Sequence, residues 1–293
     1  MGDMLKGRVA VVTGAGNGLG RAEAMGLAAQ GARVVVNDIG TSTDGKGVSS
    51  DPADKVVADI KGAGGSAVAC YESVAEEKGA NKIIQTAIDT FGRIDILINN
   101  AGIIRNQMVY DIPTSDWDAV IKTHLYGTFF CTRLASGFMK QQGYGRIINT
   151  SSHVGLGFPG QATYSTAKEG IIGFSRTVAR DMGKYGVTCN AIRPIAAWRG
   201  AVRKNEWVEA NRPEDIAALV VYLASESADH INGCIFEVWR GHIGLFVDPP
   251  PVSQILWKEG EWSPEELMKM MPETLTRDRS HEVLPYTLPF KMG

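Results

Sequence analysis

Seven short, almost uniformly apolar runs punctuate the chain, at residues 8–12, 33–37, 66–70, 95–98, 146–149, 187–192 and 234–238. A strand with one wet face alternates apolar and polar residues, whereas a strand covered on both faces stays apolar throughout. These runs are of the second kind. Longer helical patterns fill the intervals, at 20–30, 52–61, 76–91, 117–141, 164–184 and 213–223. Strands and helices in alternation, joined by right-handed crossovers, close into one architecture. The expectation is a doubly wound (Rossmann-type) α/β fold: a parallel seven-stranded sheet with helices on both faces. No linker, repeat or low-complexity stretch divides residues 1–243, which read as a single domain. Residues 244–293 differ. Asp248-Pro-Pro-Pro251 breaks regular structure, Ser263-Pro-Glu-Glu266 opens a capped helix, and Pro272, Pro285 and Pro289 keep the end irregular. This C-terminal extension is expected to pack on the domain or on a neighbouring subunit.

The first run leads into Thr13-Gly14-Ala15-Gly16-Asn17-Gly18-Leu19-Gly20, and a helix starts at once. Glycines let backbone N–H groups approach a pyrophosphate, and the helix N-terminus presents about half a positive charge to it. Gly14, Asn17, Gly18, Leu19 and Gly20 are therefore candidate cofactor contacts. A bulkier residue at Gly18 would block that approach. A tight strand-to-helix connection with no ligand has a similar sequence, so context must decide. The second run ends in Asp38, 18 residues beyond Gly20. A carboxylate there accepts hydrogen bonds from both ribose hydroxyls of an adenosine and repels a 2′-phosphate, which favours NAD over NADP. A solvated strand-end acid is the plainer alternative.

Tyr164-Ser-Thr-Ala-Lys168 opens a helical pattern, so Tyr164 and Lys168 share one face, a turn apart. Free tyrosine, with a pKa of about 10, is a poor base at neutral pH. An ammonium about 4 Å away contributes on the order of 4 kcal/mol at an effective dielectric near 20, or roughly three pH units. That brings the phenol toward neutrality and makes it a candidate acid/base for an alcohol and its ketone. The fifth run ends in Ser151-Ser152 at the carboxyl edge, where doubly wound sheets place ligands. A serine there can orient the substrate oxygen toward Tyr164. Taken singly, the pair is also an ordinary i,i+4 contact and the serine an ordinary cap.

Composition excludes several other classes. The net charge of -2 offers no cationic face for nucleic acid. No apolar run approaches the roughly 18 residues of a membrane span. Cys70, Cys131, Cys189 and Cys234 stand 45 to 61 residues apart, with no metal-ligand spacing, and read as buried small side chains in a reducing compartment. A cytoplasmic enzyme is the default expectation, with a small-molecule substrate, no nucleic acid, no membrane and no metal.

Taken together, the glycine turn, Asn99-Asn100-Ala101-Gly102, the strand-end serine and Tyr164…Lys168 resemble the short-chain dehydrogenase/reductase family in order and position. The resemblance implies that Asn100, Ala101 and Gly102 support NAD, that Ser73 and Val74 border its adenine, and that Pro194 and the backbone of Ile195 to Ala197 meet its nicotinamide amide. Relatives place the serine thirteen residues before the tyrosine, which lands on Ser151. Strand register points instead to Ser152, because a one-residue slip would reverse the side chain. The loop 156–159 can absorb the deletion. The catalytic assignment is therefore Ser152, Tyr164 and Lys168. Where the family usually has an asparagine that holds a water beside the lysine, this chain has His124. That histidine either keeps a helix kink and a proton path through its ring nitrogens or is a packed helix residue.

A narrower likeness, to the (3R)-hydroxyacyl-CoA dehydrogenase units of that family, rests on Asn37-Asp38-Ile39-Gly40 with its polar insertion, His124-Leu-Tyr-Gly-Thr128 and Gly160-Gln161-Ala162. It implies an NAD-dependent oxidoreductase acting on a 3-hydroxyacyl-CoA or a related bulky secondary alcohol. A dehydrogenase of free steroid, terpenoid or cyclic alcohols, and a catalytically silent NAD-binding partner, are the competing readings. Between Pro194 and Pro213 the substrate lid is short. Its Trp198, Arg199, Arg203 and Lys204 either face a CoA thioester or are ordinary surface residues. Small residues Ala167, Gly170 and Gly173 on the 164–184 helix suit close pairing between subunits, giving a homodimer or homotetramer.

Overall fold

The computed structural model describes residues 2–196, 210–247 and 250–278. Contacts divide the chain into two units, Met1–Phe246 and Val247–Gly293. In the first, strands β1 (Val9–Thr13), β2 (Arg33–Asn37), β3 (Ser66–Cys70), β4 (Ile96–Asn99), β5 (Gly145–Thr150), β6 (Val187–Pro194) and β7 (Ile235–Trp239) are parallel, in the order 3-2-1-4-5-6-7. All seven expected strands are present, shifted by a residue or two at their ends.

The sheet has eight strands, not seven. β8 (His242–Leu245) turns back after Arg240-Gly241 and pairs antiparallel with β7, Trp239 opposite His242. Gly241 takes φ +66°, a left-handed conformation that glycine adopts without a Cβ penalty, at the second position of this turn.

Helices α1 (Gly18–Ala29), α2 (Asp51–Gly62) and α7 (Pro213–Leu223) cover one face of the sheet; α3 (Glu77–Phe91), α5 (Gly127–Gln142) and α6 (Ala162–Met182) cover the other. Strand side chains on both faces are consequently buried, Val11, Val35, Leu97 and Ile147 toward one layer and Ala10, Val34, Ile98 and Ile148 toward the other. Each large apolar side chain so buried contributes about 1.5–3 kcal/mol.

The single helix expected over 117–141 is instead three pieces. α4 (Thr114–Ile121) runs into a π-helical segment, Lys122–Tyr126, and then into α5. A π turn adds a residue to the helix, so the faces before and after it are rotated relative to a regular helix. Here it buries His124.

Three cysteines are buried as expected, but Cys234 is only half-buried, and none is disulfide-bonded. In the second unit, α8 (Pro264–Glu273) begins at a reciprocal cap. Ser263 Oγ accepts from Glu266 N at 3.2 Å, and Glu266 Oε2 accepts from Ser263 N at 2.8 Å. Pro272 lies inside the helix near its end, where the sequence suggested irregular chain. Asp248, Pro285 and Pro289 fall outside the described residues.

Candidate active site at the carboxyl edge of the sheet

Beyond the carboxyl ends of β1 and β4, where the strand order reverses, the main chain diverges and opens a cleft of about 890 Å³. Gly14, Asn17, Gly18 and Leu19 line one part of it. Gly20 does not line the cleft; it tightens the turn. A Cβ there would lie 2.3 Å from the Gly14 oxygen, so only glycine lets α1 start this close to β1. At Gly18 a Cβ would meet nothing within 4 Å. That empty space lies in the cleft, beside the N-terminus of α1, which has no side-chain cap.

The segment after β4 holds the turn from below. Asn100 Nδ2 donates to the carbonyls of Thr13 and Gly14 at 3.0 and 3.2 Å, while Thr13 Oγ1 accepts from the N–H groups of Asn100 and Ala101, each at 3.1 Å. Sequence reasoning overlooked Thr13, because its work is done through a hydroxyl facing backbone. Asp38 is positioned from both sides. Oδ2 accepts from Gly16 N at 2.8 Å and Oδ1 from Gly40 N at 2.7 Å. Each oxygen keeps a lone pair for another donor. Ser73 and Val74 border the same region, with Ser73 Oγ accepting from Ala75 N at 3.2 Å.

The polar insertion after β2 forms a wall that the sequence did not locate. Thr43 O accepts from Ile104 N at 2.9 Å and Asp44 O from Arg105 Nε at 3.0 Å, while Arg105 Nη1 pairs with Asp116 at 2.7 Å. Thr43, Ile104 and Arg105 all line the cleft, and Lys122 supplies a second cation at its edge.

At the other end stand the catalytic candidates. The two adjacent serines have different surroundings. Ser151 is buried, and its hydroxyl donates to the Lys168 carbonyl at 2.9 Å. Ser152 caps a 3-10 turn, His153–Leu156, and its Oγ accepts from Val154 N at 3.2 Å. The Ser152 hydroxyl also faces the same cleft as Tyr164 and favours its ionised form. Because Val154 occupies one of its lone pairs, its proton is available to that side.

The phenol does not have the acidity expected from its sequence neighbour. Burial pushes Tyr164 up to about 12, and the Ser152 hydroxyl pulls only partly in the other direction. The Lys168 ammonium lies 5.4 Å from the centre of the Tyr164 ring and donates to the Thr150 carbonyl at 2.6 Å. Burial lowers Lys168 to about 7. An i,i+4 spacing put both side chains on one face, as expected, but a backbone acceptor captured the ammonium, and desolvation outweighs its attraction for a phenolate.

His124 stands across from Tyr164, their rings edge-to-face at 5.1 Å. Its Nε2 lies 2.8 Å from the Ile103 carbonyl and 3.1 Å from the Ile103 N–H, and buried Nδ1 has no hydrogen-bond partner among the described residues. Burial first, and then the Lys168 charge, lower it to about 3, so it is a neutral imidazole at working pH. Gly102 makes room for it, since a Cβ there would lie 2.2 Å from His124 Cε1. Pro194, Ile195 and Ala196 line the cleft near these groups. Ala197, Trp198, Arg199, Arg203 and Lys204 lie outside the described residues. Among the described residues no cluster of His, Cys, Asp and Glu suits a metal ion, and no helix is long and apolar enough to cross a membrane.

Over residues 8–206 the chain matches the family model described as short chain dehydrogenase. It is 49% identical over 241 residues to the peroxisomal multifunctional enzyme type 2 of Mus musculus, covering 81% of this chain but 32% of that protein. It is 40% identical over 283 residues to the hydroxyacyl-CoA dehydrogenase ChsB1 of Mycobacterium tuberculosis, covering 90% of this chain and 87% of that one. A short chain dehydrogenase from Mycobacterium avium superposes with a TM-score of 0.85 at 42% identity, covering 94% of this chain and 97% of that chain. The chain thus spans about a third of the mouse multifunctional relative.

Proposed function

The chain belongs to the short-chain dehydrogenase family, and from that premise we propose that it interconverts a 3-hydroxyacyl-CoA, or a closely related bulky secondary alcohol, and its ketone with NAD. The observation that carries the reading is the convergence of Ser152, Tyr164 and Lys168 on the cleft that also holds the glycine turn and Asp38.

The residues present fit a dinucleotide. The open space over Gly18 and the uncapped α1 N-terminus suit a pyrophosphate, with Asn17 and Leu19 alongside. Asp38, held by two backbone N–H groups, offers acceptors to a ribose and a negative charge against a 2′-phosphate, which supports NAD as the cofactor. Ser73 and Val74 would flank the adenine, and Asn100, Ala101, Pro194 and Ile195 the remainder.

Bound NAD supplies the acceptor for the alcohol's hydride. The chain's own residues handle the proton and the geometry. Ser152 donates to the substrate oxygen and fixes its approach to Tyr164. Tyr164 takes the hydroxyl proton during oxidation and returns it during reduction. Lys168, held by Thr150, places a cation next to the phenol.

Steady-state assays of the purified chain with NAD and 3-hydroxyacyl-CoA esters, against free steroid, terpenoid and cyclic alcohols, test the substrate class. Preference for the thioester by kcat/KM is expected, and preference for a free alcohol would overturn it. Equal turnover by wild type and Tyr164→Phe would remove the mechanism.

A further inference from the structure

β5 makes its last ladder contact at Ser151, whose N–H donates to Ile192 O at 2.7 Å. One residue later, at Ser152, the chain has left the sheet, and the peptide carrying the orienting hydroxyl needs another anchor. Two buried charged groups, on strands that supply no residue to the proposed acid/base pair, reach that peptide and the side chain that follows it. Arg193 on β6 donates from Nη1 to the Ser152 carbonyl at 2.8 Å, and its Nη2 pairs with Glu169 of α6 at 2.7 Å. The same carbonyl accepts from Gly155 N at 3.1 Å. Glu237 on β7 binds the next side chain, with Oε2 on His153 Nε2 at 2.9 Å and Oε1 on His242 Nε2 of β8 at 2.8 Å.

This arrangement is built into the backbone on both sides. A Cβ at Gly155 would lie 2.5 Å from Glu169 Oε1, and one at Gly244 would lie 2.7 Å from Glu237 Oε1. Aromatic groups close it in, with the Arg193 guanidinium 5.0 Å from the Phe246 ring centre and the Trp239 and His242 rings stacked at 3.7 Å. An apolar side chain at position 193 would fill this part of β6 with less desolvation than an arginine whose side chain is only 4% exposed. What the arginine adds is a directed grip on one carbonyl.

We propose that Arg193 and Glu237 are positioning residues for the reaction: by holding the Ser152–His153 peptide against β6 and β7, they aim the Ser152 hydroxyl at Tyr164. The antiparallel β8 takes part through His242, which steadies the Glu237 carboxylate. The inference rests on Ser152 being the hydroxyl that orients substrate. Neither Arg193 nor Glu237 acts on the substrate itself.

A double-mutant cycle with Ser152→Ala tests it. Arg193→Met and Glu237→Gln are each expected to lower kcat about 10- to 100-fold, the scale of a small misplacement of a reacting group, with NAD affinity changed by less than about twofold. In the Ser152→Ala background the same substitutions should add less than about twofold, because the group they aim has gone. Arg193→Lys, which keeps one donor, should recover part of the loss. Full multiplicative losses in the Ser152→Ala background would overturn the proposal. So would a crystal structure of Arg193→Met or Glu237→Gln with the Ser152 hydroxyl in the same place relative to Tyr164 as in wild type. If Ser152→Ala alone turns over like wild type, the assignment of Ser152 to substrate orientation fails, and the two crystal structures then decide by themselves whether Arg193 and Glu237 hold this peptide.

Discussion

The ammonium of Lys168 donates to the carbonyl of Thr150 at 2.6 Å. Thr150 is the last residue of β5, so the cation beside the phenol is tied to the sheet. Burial, not this tie, sets the two acidities: Tyr164 is pushed up to about 12 and Lys168 down to about 7.

A protonated phenol is the form that donates, and its conjugate base is the form that accepts. With the phenol titrating near 12, alcohol oxidation should therefore speed up as pH rises from 6 to 10, while ketone reduction should stay flat over that range. Lys168→Met removes the cation 5.4 Å from the centre of the Tyr164 ring and should move the rise in oxidation upward by at least about one pH unit. Profiles of kcat/KM in both directions check this; identical profiles for the two directions would disprove the role given to Tyr164.

Asp38 joins two backbone N–H groups that would otherwise be loose at the mouth of the cleft. Asp38→Ala is expected to weaken NAD binding about tenfold, near 1.4 kcal/mol, and to weaken NADP binding less or not at all, since a repulsive charge leaves with the side chain. Fluorescence titration with each dinucleotide measures both. Parallel losses for the two would show that Asp38 acts only through the shape of the turn.

His124 is neutral because it is buried and because Lys168 is near. Its ring proton signals should show no titration between pH 5 and 9 in NMR spectra. A neutral ring passes a proton only by exchanging tautomers, so a relay through Nδ1 cannot depend on an imidazolium. His124→Phe should fold with a loss of roughly 1–3 kcal/mol, the usual consequence of leaving buried polar groups such as those of Ile103 without a partner. Urea unfolding gives that number.

The parts of this molecule that were legible in its sequence are those whose signal is a side-chain pattern. Uniformly apolar runs located seven strands to within a residue or two, and the spacing of Tyr164 and Lys168 put them on one helix face. β8 was missed because four residues, His242-Ile-Gly-Leu245, carry too little pattern to stand apart from a loop. Its Arg240-Gly241 turn was the one available sign. The π turn at Lys122–Tyr126 left no break in the helical periodicity over residues 117–141, and its one sign was His124, for which a helix kink was one of two readings. The low reach of Lys168 toward Tyr164 was misjudged for a more general reason. Its actual partner is a backbone carbonyl, and every residue in a sequence has one of those.

Glu23 carries the last prediction. It lies on α1, fully buried, and neither carboxylate oxygen has a hydrogen-bond partner among the described residues. Desolvation raises it to about 8. In the unfolded chain the same group titrates near 4.5. Below that pH both states hold the proton and Glu23 costs nothing extra. Between about 4.5 and 8 the folded protein keeps a proton that the unfolded chain has released, so stability falls as pH rises, by at most about 1.4 kcal/mol per pH unit. Above 8 the penalty is constant. Glu23→Gln has nearly the same shape and no charge to bury, so it should be more stable than wild type at pH 8 and nearly equal to it at pH 5. Urea-unfolding free energies of both proteins at the two pH values measure the difference. If the wild-type advantage of acid pH survives unchanged in Glu23→Gln, the proton taken up on folding belongs to another group.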